Sequence, residues 1–338
     1  MKVKELAEYL GVSPATVSLV LNNKPGISKK TRSRVLNAAK EHGVNTGNSY
    51  GELALTKIMF IVYRKSGASK LGVDYFSKIF SEVIEGIEKQ CREKQCQFSI
   101  SYIDAVSVDS EASRIMNLGV DGILLLATEM TMSQIARFAA LDIPLVILDN
   151  YIKENNYDCV TINNELGVYQ AISYLNKMGH TNIGYLHVAN NANNFNERYF
   201  GFKKAFSLLD LHFNDKFFIS VNTLGGDTLL SYIKDHLLTL DTMPSAFFAD
   251  NDIAAITSIK ALHELGYRVP RDVSIIGFDN MPLSEMMEPS LTTIGISKQR
   301  MGIEAVNRLV QKISDKYPGN TRTQIATEIV IRDSVRRF

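Results

Sequence analysis

Gly11-Val12-Ser13-Pro14-Ala15-Thr16-Val17-Ser18-Leu19-Val20-Leu21-Asn22-Asn23 decides how the first part of the chain folds. Gly11 ends an apolar pattern, Ser13 sits where an N-cap belongs, and Pro14 takes the first helical position, where its missing N–H costs nothing. Val17, Val20 and Leu21 then form one stripe at helical spacing, while Ala15, Ser18, Leu19 and Asn22 share the opposite face. Upstream, Val3, Leu6, Ala7 and Leu10 fall at i, i+3, i+4 and i+7, the pattern of a first amphipathic helix. Downstream, the loop Asn23-Lys24-Pro25-Gly26-Ile27 closes the second helix. Ser28 can cap a third, which carries Lys29, Lys30, Arg32, Arg34 and Lys40 up to Gly43. Two helices joined by a tight glycine turn, with a third closing the core, make a helix-turn-helix unit over residues 1–46.

The chain has 338 residues, enough for two or three domains, and its 45% apolar and 22% charged residues are those of a globular protein. A net charge of +1 conceals an asymmetry: residues 1–57 hold nine Lys/Arg against four Asp/Glu, so +5 stands on the first sixth and −4 on the rest. A basic head on a neutral body points to nucleic acid. The plainer alternative is a small bundle that binds nothing, and the charge weighs against it. A second helix whose outward face is small and hydroxylic, with Ser13, Ala15, Thr16, Ser18 and Asn22, can approach a duplex closely.

The first residues, Met1-Lys2-Val3-Lys4-Glu5-Leu6, contain no apolar leader, and no apolar run approaches the about 18 residues that span a bilayer. A cytoplasmic protein without membrane contact is expected. Cys91, Cys96 and Cys159 are odd in number and lack metal-ligand spacing, so buried free thiols are expected in place of disulfides or a metal.

From Lys57 onward short apolar runs alternate with helical patterns. Strands are expected at Ile58–Tyr63, Phe98–Ile103, Gly122–Leu126 and Leu145–Leu148, with helices at 76–94, 110–118 and 132–140 between them. The pattern restarts with helices at 164–178, 197–209, 226–239 and 252–266 and strands at Asn182–Val188, Phe217–Val221, Ala246–Ala249 and Val273–Phe278. Apolar strands separated by helices imply parallel sheets covered on both faces. The expected product is two doubly wound α/β subdomains around a cleft, with ligands at the carboxyl ends of the strands. There is no phosphate-binding glycine loop, no His-Glu-x-x-His and no Gly-x-Ser-x-Gly elbow. No catalytic residue, no enzyme activity and no cofactor is therefore expected. His180, at a helix end, is read as capping a carbonyl or packing.

Lys4-Glu5-Leu6-Ala7-Glu8-Tyr9-Leu10-Gly11-Val12-Ser13-Pro14-Ala15-Thr16-Val17-Ser18-Leu19-Val20-Leu21-Asn22-Asn23, then Gly26-Ile27-Ser28-Lys29-Lys30-Thr31-Arg32, resembles the head of the lactose/galactose repressor family of bacterial transcription regulators. The resemblance continues through Asn163-Asn164-Glu165-Leu166-Gly167, Arg198 with Gly201-Phe202, Pro244 to Asp252, Gly277-Phe278-Asp279-Asn280, Leu291 to Ile294 and Ile331 to Ser334. It implies a helix-turn-helix head on a core like that of periplasmic sugar-binding proteins, with each subdomain discontinuous: 58–161 plus 290–320, and 162–289 plus 321–338. The chain would cross between them near 160–163, 289–294 and 318–324.

The resemblance also implies that the second helix enters the major groove, with Pro14, Ala15 and Leu19 reading bases. Contacts are expected from Ser13, Thr16, Ser18, Asn22 and Ser28 as well. The family often has Arg or another polar residue where this chain has Leu19, so apolar contact with a thymine methyl is expected in place of bidentate guanine readout. Residues 47–57 read as a linker. Where the family usually has Pro-Asn-x-x-Ala-Arg-x-Leu and a hinge helix, this chain keeps the Leu, Leu53. It has Thr46, Gly47, Tyr50 and Gly51 for the Pro, Asn, Ala and Arg. Glycines cost a helix about 1 kcal/mol each, so a weak or absent hinge helix and less DNA bending than is usual for the family are expected.

Carried over position by position, the effector would be held by Asp149, Arg198, Asn251 and Asp279, with Asp74, Tyr75 and Phe76 after the first strand and Phe195 beside them. Arg and carboxylates grip vicinal hydroxyls through paired hydrogen bonds, and an aromatic ring covers the apolar face of a pyranose. Asp250 and Asp252 can equally be helix caps. The expectation is a homodimeric repressor of operator DNA, controlled by a small sugar bound between the subdomains. The alternatives are a nucleobase or nucleoside corepressor on the same fold, or a sugar-binding protein whose DNA head is vestigial.

Overall fold

The computed structural model describes residues 3–21, 26–42, 44, 55–64, 73–151, 157–189, 192–221, 226–314 and 319–338. It divides into two compact units, Met1–Thr56 and Lys57–Phe338. In the first, α1 (Val3–Leu10), α2 (Pro14–Leu21) and α3 (Lys29–Glu41) enclose a core of Leu6, Ala7, Val17, Val20, Val35 and Ala38. Gly11 takes the left-handed conformation, φ +64°, that ends α1 at little cost. The Ser13 and Ser28 hydroxyls accept the backbone N–H of Thr16 (3.1 Å) and Thr31 (3.2 Å), capping α2 and α3. Arg34 donates to the Leu10 carbonyl at 2.9 Å and Arg32 to that of Val20 at 3.5 Å, so both side chains fasten carbonyls that end a helix.

The second unit begins with β1 (Lys57–Tyr63), α4 (Val73–Glu93), β2 (Gln97–Ile103), α5 (Val108–Leu118), β3 (Gly122–Leu126), α6 (Met132–Ala139), β4 (Leu145–Leu148) and β5 (Asp158–Ile162). It continues with α7 (Asn164–Lys177), β6 (Ile183–Val188), α8 (Asn193–Leu208), β7 (Phe218–Val221), α9 (Gly226–Leu238), β8 (Ala246–Ala249), α10 (Asp252–Glu264), β9 (Ser274–Ile276) and α11 (Pro282–Met286). Last come β10 (Thr293–Ile296), α12 (Lys298–Ile313), β11 (Arg322–Ile325) and β12 (Thr327–Val330). One lobe is built on a parallel sheet ordered β11-β5-β4-β3-β1-β2 and the other on a parallel sheet ordered β7-β6-β8-β9. Strands such as β3 and β4 are buried along their whole length, as strands covered on both faces must be. This is the helix-turn-helix unit and two-lobed α/β core that the sequence leads one to expect. Among the described residues no helix is long and apolar enough to cross a membrane.

Several boundaries differ from that expectation, for physical reasons. The alternation read from the sequence stops at Phe278, but α12 extends it, burying Met301, Ala305, Val306 and Leu309 against the first lobe. Residues 290–296 stay with the second lobe: β10 pairs antiparallel with β12, and the N–H groups of Gly277 and Asp279 donate to the carbonyls of Thr292 (3.0 Å) and Ile294 (2.9 Å). The third passage between lobes falls at Ala326, later than 318–324, because Arg322–Ile325 adds to the first lobe's sheet in parallel register with Cys159–Ile162. Buried Asp158 secures that strand, accepting from Arg308 Nε (2.5 Å), Lys312 Nζ (2.5 Å) and the Thr321 N–H (2.8 Å). Finally, α8 begins at Asn193 and not at 197, which places Asn193 and Asn194 in its first turn.

Candidate functional site

On the head, Ser13, Pro14, Ala15, Ser18 and Leu19 are exposed and Thr16 is half-buried. Leu19 is 38% exposed, a large apolar side chain that no core covers. The face read from the sequence is thus an open surface of small, hydroxylic and apolar groups on α2. Ser13 and Ser28 serve as caps, and each hydroxyl also shares a 2.8 Å hydrogen bond with a threonine hydroxyl, that of Thr16 and that of Thr31. Asn22 and Leu53 lie outside the described residues, as does most of the linker.

In the body the carboxyl ends of the parallel strands bring together residues distant in sequence. Asp149 follows β4, Asp250 to Asp252 follow β8, Asp279 lies three residues beyond β9, and α8 starts soon after β6. Arg198 on α8 is almost fully buried and joins these segments. Its Nε donates to Asn164 Oδ1 at 2.9 Å, one terminal nitrogen donates to the Asp250 carbonyl, and the other reaches Asp279 Oδ1 at 3.2 Å. Its guanidinium lies 3.7 Å from the centre of the Phe278 ring and 5.5 Å from that of Phe195.

Asp279 has φ +110°, Asn280 +48° and Asp149 +59°. These are left-handed conformations that side chains other than glycine adopt at a cost, and such strain gathers where a site needs a fixed geometry. The Asp279 carbonyl is held by buried Lys298 at 3.1 Å. Asp149 accepts from Thr128 Oγ1 at 2.7 Å and Asn194 Nδ2 at 2.9 Å. Burial pushes its carboxyl above the usual range, against the pull of these two hydrogen bonds and of Arg198.

Asn251, Asp250 and Asp252 divide their work differently from the sequence expectation. Asn251 is the cap: its Oδ1 accepts the Ala254 N–H at 2.8 Å. Its Nδ2 is buried with no hydrogen-bond partner among the described residues. Asp250 instead binds the strand ends, accepting from the Tyr185 hydroxyl, from His187 Nδ1 at 2.7 Å and from the Val188 N–H at 2.8 Å. Asp252 accepts from Thr293 Oγ1 (2.5 Å), Ser284 Oγ (2.6 Å) and the Met281 N–H (2.7 Å), tying α10 to α11 and β10. Burial, and after it the neighbouring Asp279 charge, raise its carboxyl to about 7. Neither carboxylate caps the helix, because the Asn between them already does.

Asp149, Arg198 and Asp279 thus meet in one polar cluster, with Asn251 joined through its neighbour Asp250 and Phe195 beside the guanidinium. Asp74, Tyr75 and Phe76 lie in the first turn of α4, and their side chains are outside the described residues. The sequence reading missed Asn164, Asn194 and Lys298 as parts of the cluster, and His187 and Tyr185 as its supports. One signal was available for Asn194: it belongs to the Asn-rich run 190–196 directly after an apolar strand, where ligand loops of α/β sheets lie. A separate groove of about 900 Å³ lies along α10, lined by Ile256, Lys260, His263, Val269 and Met287, and contains none of the cluster residues. His180 bonds Ser245 Oγ at 2.9 Å and the Arg336 carbonyl at 3.0 Å, a structural role.

The chain matches two family models: residues 2–45 match bacterial regulatory proteins of the lacI family, and residues 172–335 match the periplasmic binding protein-like domain. It is 31% identical over 340 residues to the HTH-type transcriptional repressor PurR of Haemophilus influenzae, covering 99% of this chain and 98% of that one. Among solved structures it is similar to the complex of the transcriptional regulator CelR with cellobiose, with TM-score 0.72, 22% identity and coverage of 98% and 99%. The lac repressor dimer bound to operator and the anti-inducer ONPF gives TM-score 0.69, 21% identity and coverage of 99% of each chain.

Proposed function

The chain belongs to the lacI family of bacterial regulatory proteins and is a DNA-binding transcriptional repressor; from that premise we propose that a sugar, held by Arg198, Asp279, Asp149 and Asn251, controls its grip on DNA. The observation that carries this reading is the buried Asn251 amide, without a partner among the described residues, one residue beyond the Asp250 carbonyl that Arg198 binds. A buried donor left unbonded costs about 1–3 kcal/mol, and a ligand hydroxyl or ring oxygen would recover it. Carboxylates set by left-handed backbone at Asp149 and Asp279, with a guanidinium held by hydrogen bonds, suit vicinal hydroxyls, which donate and accept at once. Phe195 and the aromatic pair Tyr75 and Phe76 would supply the apolar wall of the pocket, with Asp74 as a further acceptor beside them.

The mechanism follows from the two lobes. A sugar with higher affinity for one lobe arrangement shifts the population toward it, whereas equal affinity for both would regulate nothing. In a homodimer that shift would change the spacing of two heads over half-sites about one helical turn apart. The exposed Ile100 and Tyr102 on the edge strand β2 offer a surface that a second copy would cover. On the DNA, Pro14, Ala15 and Leu19 would read base edges, Ser13, Thr16, Ser18, Asn22 and Ser28 would meet phosphates, and Leu53 would be the wedge of a weak hinge. A repressor of this kind would act in the cytoplasm.

The second reading is a nucleobase or nucleoside. Arg198 already lies against Phe278 and near Phe195, and a flat heterocycle fits an aromatic wall as well as a sugar does. Titrating the full chain with monosaccharides, disaccharides, nucleobases and nucleosides while following thermal unfolding separates the two. A ligand present at about 100 times its Kd adds about 2.7 kcal/mol of stability. Stabilisation by a sugar, abolished by Arg198→Met, is the expected result; stabilisation by nucleobases alone would overturn the sugar reading. Footprinting of the chain's own upstream region tests the head, and absence of protection at every salt concentration would leave it vestigial.

A further inference from the structure

We infer that α8 carries a clasp that holds the two lobes closed without any ligand, with Asn193 and Asn194 as its closing residues. Three side chains of this one helix of the second lobe reach the first lobe. Asn194 Nδ2 donates to Asp149 Oδ1 at 2.9 Å. Asn193 Nδ2 donates both to Asn150 Oδ1 at 2.5 Å and to the Tyr151 carbonyl at 2.9 Å. Glu197 Oε1 accepts from Arg322 of β11 at 2.8 Å, and the Arg322 guanidinium in turn lies 3.7 Å from the centre of the Tyr151 ring.

The clasp is built on both sides. Asn150 is buried and its own amide donates to the carbonyls of Ala127 (2.7 Å) and Met130 (3.2 Å), so the acceptor it offers Asn193 is fixed in place. Asp149 is presented by a left-handed backbone, φ +59°. On the other side, Asn164 donates to Asn194 Oδ1 (2.9 Å) and Glu197 Oε2 (2.8 Å) while accepting from Arg198, so Asn194, Glu197 and the arginine share one support. A continuous chain of side chains, Asp149 to Asn194 to Asn164 to Arg198 to Asp279, therefore spans both lobes. A carboxylate oxygen has a second lone pair, so an effector hydroxyl can join Asp149 without expelling Asn194. The clasp thus sets the starting population, and an effector regulates by how far it favours or opposes this closed arrangement. This rests on the effector reading for Asp149, but not on what the effector is.

The test needs no ligand. Spin labels are placed on the full chain through Ser133→Cys on α6 and Ser231→Cys on α9, both exposed, in a Cys96→Ser background that leaves only buried thiols. Labelled chain is diluted in excess unlabelled chain, so that double electron–electron resonance reads distances within one copy. The expected result is a single short distance in the ligand-free protein that lengthens and broadens with Asn193→Ala/Asn194→Ala. Should that pair fail to fold, Arg322→Ala, on a half-exposed edge-strand residue, removes the third contact and should broaden the distribution to a lesser degree. A long, broad distribution before any substitution, or a short one that neither variant alters, would overturn the clasp. A failed ligand screen would overturn the sugar reading and leave this result untouched.

Discussion

In the first lobe β3 and β4 run into Thr128, Glu129 and Asp149; in the second, β8 runs into Asp250, Asn251 and Asp252, and the segment after β9 adds Asp279. Both lobes are parallel sheets sandwiched by helices, yet the second buries three carboxylates near one arginine. The first keeps its own buried ion cluster, Asp158 with Arg308 and Lys312, beside the strand that precedes the third passage between lobes. A buried charge is tolerated only where opposite charge and hydrogen bonds meet it, and the two lobes apply this to different ends. One cluster fastens a strand. The other leaves a donor, Asn251 Nδ2, unbonded among the described residues.

The largest break in that comparison is Arg198→Met. It strips the partner from Asp279, the Asp250 carbonyl and Asn164 at once, and removing one partner of a buried pair costs about 3–5 kcal/mol. Urea unfolding should show this loss, and the response to any stabilising ligand should vanish. Arg308→Met is the matched change in the first lobe. Lys312 still bonds Asp158 there, so a smaller loss of about 1.5–3 kcal/mol is expected, with ligand response retained. Loss of response in both variants would mean that the two clusters are not separate in function.

A smaller effect sharpens the same contrast through pH. Asp252 titrates at about 7 in the folded chain and at about 4 when unfolded. Between those values the folded state holds the extra proton. The stability tied to this group is therefore full below about pH 4 and declines by up to about 1.4 kcal/mol per unit as pH rises toward 7. Asp252→Asn keeps the shape and should remove that slope, so the difference in urea midpoint between the two proteins moves in the variant's favour as pH rises. Parallel profiles from about pH 4 to 8 would contradict the assignment.

The smallest effect on stability is expected in the head. Leu19→Ala, at an exposed site, should change folding by less than about 0.5 kcal/mol. Selection from random DNA should nonetheless lose a preference for A·T opposite this residue, and a G·C requirement there in the parent would sink the thymine reading.

What was legible in the sequence was whatever short-range periodicity encodes. The caps at Ser13 and Ser28, the stripe of Val17 and Val20, and the apolar strands β3 and β4 follow from local patterns, because burial on one face or on both leaves a period in the chain. Arg198 and Asp279 were legible only through resemblance. Asn164, Asn194 and Lys298 were not found at all, since single polar residues leave no period and gain their roles from partners 19 to 45 positions away.

The sequence by itself determined a basic three-helix head and two runs of alternating strand and helix, for these depend on propensity, caps and burial within a few residues. Tertiary structure alone decided that Arg322–Ile325 returns to the first sheet, that Asn251 rather than Asp250 or Asp252 caps α10, and that Asn193 and Asn194 bridge the lobes. Each of these is a choice among near-equal local options, settled by which distant hydrogen-bond partner the packed chain brings within about 3 Å.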